Sequence, residues 1–350
     1  MMNRPLLLFV AAWVALTGAA EAAQTRRTRY LMGTLCEISA HGPQDKALEA
    51  AVGRAFDEIA RLEGMMSNWR SSSEVNRLNR QGRRPLVLSP ELFDVLSTGQ
   101  NIARESGGAF DMTVGPLIEL WDLRGSGRVP SSGEIARTRR RVGFKHLRLD
   151  PRSRSATFIR EGMAVDLGGI AKGYALDQAA QILMNNGARG AMLNFGGQIL
   201  VAGEPFEGRR WTIEIAHPAR AGVPHRLELV KGSASTSSQR ERFIESEGKA
   251  IGHVLDPGNG RPASFQGSVT VIAPTAVEAD ALSTALLVMD QKKGLAFIER
   301  QEQAAALYYV PGIDSSEPWQ VKASKRLSLY QISDKQPASS GVDARAAGNQ

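Results

Sequence analysis

The chain has 350 residues, with 43 Lys and Arg against 36 Asp and Glu and a net charge of +7. Its single cysteine, Cys36, excludes a disulfide within the chain and reads as a small buried hydrophobe. The basic residues are scattered apart from RTRRR at 137–141, and no nucleic-acid-binding motif accompanies them, so the excess charge points to a small anionic ligand.

Residues 1–23 read as a secretory signal: Arg4 at the positive end, an apolar run over 6–16, and Ala20-Glu21-Ala22 as a small-x-small cleavage site. No lipid-anchoring cysteine follows, and no stretch has the ~18 apolar residues of a span. The expectation is one domain over 24–332 that works outside the cytoplasm, periplasmic in a Gram-negative source and soluble once the signal is removed. A disordered tail is expected over 333–350. Cleavage against retention of the signal as an anchor is left open.

Residues 29–40 read as a strand in which Gly33 marks a bulge or a close backbone approach. Leu48, Val52, Ala55, Ile59 and Leu62 form the stripe of an amphipathic helix closed by Gly64. A short helix follows over 74–79. Trp69, beside Arg70, reads as a core side chain, with a stacking platform as the alternative. Ser89 and Pro90 are the N-cap and first position of a helix ending at Gly107-Gly108, and an extended segment with Asp111 follows.

In VDLGGIAKGYALD, residues 165–177, Asp166 precedes two glycines at a helix start, with Lys172 one turn in. A phosphate cradle and a plain strand-to-helix turn both fit. Strands are expected over 211–216 and 226–230. GSASTSS, 232–238, reads as a flexible linker. His253, before Val254 and Asp256, is either a pH-tuned acid or base or a structural residue. After Pro311 the periodicity fades, with a last strand over 327–332.

Residues 268–289 carry the sharpest pattern. Val269, Val271 and Ala273 alternate along a strand that Pro274 ends, and Thr275 and Glu278 have capping-box spacing. In the helix that follows, Leu282, Ala285, Leu286 and Met289 share one face and Asp280, Ser283 and Thr284 the opposite one. One carboxylate and two hydroxyls suit a hard cation such as Mg²⁺ that keeps water or phosphate partners. A solvated helix face is the alternative.

Taken in order, MGT at 32, SNWRSSSEVNRLN at 67, GGAFDMTVGPL at 107, VDLGGIAKGYALD at 165, NFGG at 194, HVLDP at 253 and SVTVIAPTAVEADALSTAL at 268 strongly resemble the ApbE family, the FAD:protein FMN transferases. The resemblance covers roughly 29–310. It implies an α+β fold of two interlocked subdomains, with mixed or antiparallel sheets flanked by helices and one subdomain related to the T-fold. FAD would lie between them.

It also implies a reaction: FAD's pyrophosphate is broken, and FMN passes to a Ser or Thr hydroxyl of a partner protein with release of AMP. The acceptor carries a D-x-x-[ST]-G-A-[ST]-like motif in a membrane-linked electron-transfer subunit. By motif match Asp280, Ser283, Thr284 and a backbone oxygen of Gly169 hold Mg²⁺. Lys172 and Asp166 lie against FAD, and Met32, Trp69, Ala109, Phe110, Asp111 and Val254 match FAD-contacting positions. His253 is the candidate base for the acceptor hydroxyl, with Asp280 and Asp256 as competitors. Ser238 stands where many relatives have Gly, a departure bearing on acceptor positioning. The alternatives are an FAD pyrophosphatase with water as acceptor and a non-catalytic FAD-binding protein.

Overall fold

The computed structural model describes residues 23–205, 210–218, 225–240, 243–246, 249–312 and 319–330. The expected leader lies outside them except for Ala23, and the expected tail over 333–350 lies outside them entirely. Strands β1 (Ala23–Leu31) and β2 (Thr34–Gly42) form a hairpin closed by Met32 and Gly33, both left-handed at φ 51° and 75°. The strand expected across 29–40 is therefore two, and Gly33 supplies a turn rather than a bulge. A two-residue turn with both φ positive matches the twist of its strands.

Helix α1 (Asp45–Met66) buries the predicted stripe and continues past Gly64, because buried Met66 extends that stripe one turn beyond Leu62. In α2 (Glu74–Gln81) the Ser73 hydroxyl accepts the Asn76 N–H. Strand β3 (Leu86–Val87) leads to α3 (Pro90–Glu105), capped by Ser89 with Pro90 in its first turn as predicted. Two short helices follow, α4 (Gly115–Leu120) and α5 (Ser132–Arg139). The second is opened by a capping box of Ser131 and Glu134. Arg137 and Arg139 sit in its last turn, where the helix dipole favours cations.

Strands β4 (Leu147–Asp150) and β5 (Ser155–Phe158) precede α6 (Ala171–Asn185). Next come β6 (Gly190–Phe195), β7 (Gln198–Gly203), β8 (Trp211–Ile215), β9 (His225–Leu229) and β10 (Gly232–Ser238). Four short strands, β11 (Phe243–Ser246), β12 (Lys249–Gly252), β13 (Leu255–Asp256) and β14 (Arg261–Pro262), lead into β15 (Ser268–Ala273). The chain continues through α7 (Ala276–Val288), α8 (Gln291–Ile298), β16 (Ala305–Pro311) and β17 (Trp319–Ala323).

The fold is α+β. Its main sheet has eight strands in the order β1-β2-β6-β7-β10-β15-β16-β17, each neighbour antiparallel. One face packs on α1, α6 and α7 through residues such as Ile38, Leu193, Val269 and Val271. The other carries Met192, Ile199, Ile272 and Leu307 under the β8–β9 hairpin. With both faces covered, all six residues of β15 are buried. A third, smaller core of Leu117, Trp121, Ile135, Val142, Ile251 and Leu255 joins α4 and α5 to the strands around residue 253.

Two sequence expectations change. Residues 232–238 are no linker but a central strand, paired to β7 and β15. Its side chains are small, which lets α7 pack closely against it. Leu327 to Leu329 belong to a 3₁₀ turn (Lys325–Leu329) whose Leu327 plugs the second core, while 331 and 332 lie outside the described residues. Among the described residues no helix is long and apolar enough to cross a membrane.

Helices α6 and α7 meet closely. A Cβ on Gly173 would stand 2.2 Å from the Ala276 carbonyl oxygen, so glycine sets their approach. Asp177 on α6 accepts the N–H groups of Ala276 (2.8 Å) and Val277 (2.9 Å), capping α7 from a neighbouring helix. Burial pushes its carboxyl up to about 6, against the two N–H bonds that favour the charged form. The folded state therefore binds a proton between about pH 4 and 6 that the unfolded chain has released, and stability falls as pH rises through that window. The Asp177 share of that fall is about 3 kcal/mol. In urea titrations across this range, Asp177→Asn is expected to flatten the decline by that order; an unchanged slope would remove the assignment.

Candidate functional site

The carboxylate of Asp280 is 3 % exposed, and its charge is met from α6. Lys172 Nζ donates to Oδ1 at 3.1 Å and the Gly173 N–H to Oδ2 at 3.1 Å, the latter from the first turn of α6, where free N–H groups and the dipole favour an anion. Ser283 is fully buried. Its hydroxyl donates to the Asp280 carbonyl (2.9 Å) and lies 2.8 Å from Ser237 Oγ and 3.3 Å from Ser235 Oγ on β10. Thr284 Oγ1 donates to the same carbonyl at 3.1 Å.

The polar side of α7 is thus turned into the protein against α6 and β10, not toward water, and the solvated-face alternative is overturned. With Asp280, Ser283, Leu282, Ala285 and Leu286 all buried and Thr284 half-buried, the helix shows little surface to solvent along its middle turns. A Cβ on Gly169 would lie 3.0 Å from Thr284 Oγ1 and 3.4 Å from the Phe110 ring. The structure therefore gathers Asp280, Ser283, Thr284, Lys172, Gly169 and Phe110 into one cluster.

The glycine turn is pinned from two sides. Asn68 donates to the Val165 carbonyl (2.9 Å) and accepts the Leu167 N–H (3.3 Å), while Asn79 takes both the N–H (2.8 Å) and the carbonyl (2.9 Å) of Val165. The Asp166 N–H donates to the Met112 carbonyl at 2.7 Å, which draws the segment of Ala109 and Phe110 alongside. Asp166 itself accepts the Gly168 N–H at 2.8 Å and pairs with Arg124. So Asp166 sits beside the exposed Gly168, with a guanidinium on its outer side.

Asp111, at a position matching an FAD-contacting one, turns its carboxylate inward. It is 6 % exposed, and its oxygens accept the Thr113 N–H (2.8 Å), the Thr113 hydroxyl (2.6 Å) and the Phe144 N–H (2.7 Å). Burial raises its carboxyl above the usual range, opposed by these same bonds. Its carboxylate organises its own loop, so any contact of this position with a ligand would come from its backbone. Trp69 is 73 % exposed, which overturns the core reading; it projects next to Asn68, which holds the glycine turn. Met32 occupies the hairpin tip, half-buried.

His253 and Val254 lie between β12 and β13, both half-buried. Gln239, at the end of β10, accepts the Val254 N–H (3.1 Å) and donates to the carbonyls of Val254 (2.7 Å) and Ala263 (3.1 Å). Ser238, the departure noted above, is buried; its hydroxyl donates to the Gly267 carbonyl (3.3 Å) and accepts the Arg240 N–H (3.2 Å). Asp256 accepts from Gly258 N (2.7 Å) and Asn259 Nδ2 (2.5 Å), so its carboxylate holds a turn.

Sequence reasoning passed over Asn68, Asn79, Arg124, Asp177, Ser237 and Gln239. Asn68 and Asn79 were inside a quoted motif, and their role needed only the question of what bonds the backbone of a Gly-Gly turn. Nothing in the sequence marks Arg124 or Gln239. The donor set fits a hard divalent cation: one carboxylate, two hydroxyls and a carbonyl, with a glycine where any side chain would crowd Thr284. Among the described residues no group of three or more His, Cys, Asp or Glu is placed to hold a metal.

Comparison with known proteins follows the same outline. Residues 32–308 match the ApbE family. The chain is 29 % identical over 314 residues to a protein of Klebsiella pneumoniae named FAD:protein FMN transferase, covering 87 % of this chain and 88 % of that one. It is 31 % identical over 279 residues to one of the same name from Haemophilus influenzae, covering 75 % and 80 %. The fold is similar to the ApbE protein of Thermotoga maritima (TM-score 0.81, 29 % identity, 89 % of this chain and all of that one). It is also similar to the flavin transferase ApbE of Vibrio cholerae (TM-score 0.77, 28 % identity, 89 % and 100 %).

Lys172 and Asp280 are expected to be coupled. Removing the lysine strands a buried carboxylate, so Lys172→Ala costs about 3 kcal/mol, while adding Asp280→Ala recovers part of that loss. Urea denaturation of both single variants and the double variant measures the coupling; strict additivity would show the pair is not a unit.

Proposed function

Because the chain belongs to the ApbE family, we propose that it transfers FMN from FAD to a Ser or Thr hydroxyl of a partner protein and releases AMP. The observation that carries this reading is the single cluster of Asp280, Ser283, Thr284, Lys172 and Gly169 at the start of α6. Mg²⁺ held by Asp280, Ser283, Thr284 and the Gly169 carbonyl would neutralise charge on the pyrophosphate.

In this reading the acceptor oxygen bonds to the phosphorus on the riboflavin side. The bond from that phosphorus to the bridging oxygen breaks, and AMP leaves with that oxygen. His253 takes the hydroxyl proton, a general-base task that imidazole commonly performs near neutral pH. Lys172 turns from Asp280 to the phosphates, and the start of α6, with half-buried Gly169 just before it, favours their negative charge. Trp69, exposed at the rim, stacks on a flavin or adenine ring, and Phe110 backs the glycine turn. Met32, Ala109, Asp166 and Val254 line the FAD site, and Asp111 supports it through its loop. Met32's left-handed backbone fits this role, since strain at a non-glycine residue is more often kept at a ligand site.

The acceptor is a membrane-linked electron-transfer subunit with a D-x-x-[ST]-G-A-[ST]-like motif, and the enzyme meets it outside the cytoplasm after residues 1–23 are removed. Purified full-length chain incubated with FAD, Mg²⁺ and an acceptor domain carrying that motif is expected to give a flavin-fluorescent acceptor band on a denaturing gel. Free FMN with no labelled acceptor would favour hydrolysis, and FAD bound without turnover would favour a binding protein. Asp280→Ala is expected to lose Mg²⁺-dependent transfer by at least ~100-fold, and His253→Ala by ~10²- to 10⁴-fold.

A further inference from the structure

We propose that Gln239 is the positioning residue that sets the place of His253 relative to the α6–α7 cluster; this rests on the reading of His253 as the base. Gln239 is 5 % exposed and stands two residues after Ser237, whose hydroxyl touches Ser283 on α7. Its amide closes on both backbone groups of Val254, the residue after His253, and on the Ala263 carbonyl across the hairpin. The Ala263 N–H also donates to the Val254 carbonyl at 2.9 Å, so the clamp seals the open end of the β13–β14 ladder.

The residue before His253 is shaped for the same side chain. A Cβ on Gly252 would stand 2.1 Å from Gln239 Oε1, so only glycine leaves the amide its seat. One buried side chain therefore bonds the residue after His253 and packs against the residue before it. All three bonds are needed: a buried amide left with an unmade bond costs stability and lets the segment shift. The strand that supplies Gln239 is fixed at its base, because Ser238 bonds to Gly267 and to the Arg240 N–H. Gln239 touches no reacting atom. It transmits the geometry of β10, and through Ser237 that of α7, to the imidazole.

The test uses the full chain with FAD, Mg²⁺ and the motif-bearing acceptor domain. Gln239→Leu removes all three bonds at similar volume, and Gly252→Ala displaces the amide without altering Gln239. Both are expected to lower the kcat of transfer ~10- to 100-fold, a larger change than any rise in the KM for FAD through Val254, since a misplaced reacting group is costly. In a His253→Ala background, Gln239→Leu is expected to slow transfer no further. Equal slowing in that background, or wild-type kcat in a folded Gln239→Leu protein, would overturn the proposal.

Imidazole NMR separates this from the base assignment. The chain has five histidines, and the His253 signal is identified by its loss in His253→Ala. In Gln239→Leu and Gly252→Ala that signal is expected to move more than the other four; an unmoved signal overturns the positioning role. If His253→Ala transfers normally, the base assignment fails, while the NMR result still decides whether Gln239 sets the ring.

Discussion

A carboxylate removed from water has to be met by fixed charge or by N–H groups, and Asp280 decides much of this molecule for that reason. Its partners are the Lys172 ammonium and the Gly173 N–H at the start of α6. That arrangement requires α6 and α7 to approach until a side chain at residue 173 would strike the Ala276 carbonyl. Asp177 then bonds the first turn of α7 from the same helix, so one helix supplies both the counter-charge and the cap. The small hydroxyl residues of β10 follow from the same constraint, because a bulkier strand would hold α7 away from the sheet.

The second half of the site is built from loops, and loops need their backbone bonds made by something. Asn68 and Asn79 reach from the α1–α2 connection and α2 to the backbone of Val165 and Leu167, and Met112 takes the Asp166 N–H. Gly168 and Gly169 are presented by residues nearly a hundred positions earlier in the chain. Side-chain amides suit this task, since each offers both a donor and an acceptor to nearby backbone groups. Gln239 does the same for Val254, so the glycine turn and the half-buried His253 segment are both held by side-chain amides from elsewhere in the chain.

Reading the sequence picked out the polar side chains of α7 and misjudged their surroundings. Asp280, Ser283 and Thr284 stood out from spacing alone, yet whether their face met water or protein depends on α6 and β10 lying over it, which periodicity does not encode. Trp69, read as a core side chain, is exposed, while the Asp111 carboxylate is buried. Hydrophobicity ranks residues by type, while their burial follows from where distant segments cross. Residues 232–238 looked like a linker because Ser and Gly are common in linkers, although small residues are also what a strand needs beneath a closely packed helix.

The order of the seven motifs fixed the family, and local rules fixed most helices: the Ser89–Pro90 start, the α1 stripe and the Thr275 cap all depend on neighbours within a few residues. What required the tertiary structure was every relation between residues far apart in sequence. The Asp280–Lys172 pair, the Arg124–Asp166 pair and the Gln239 clamp join positions whose residue types are ordinary where they stand. A hydrogen bond or ion pair leaves its mark on a sequence only when both ends lie in one short segment; across a fold, the chain path alone brings donor and acceptor together.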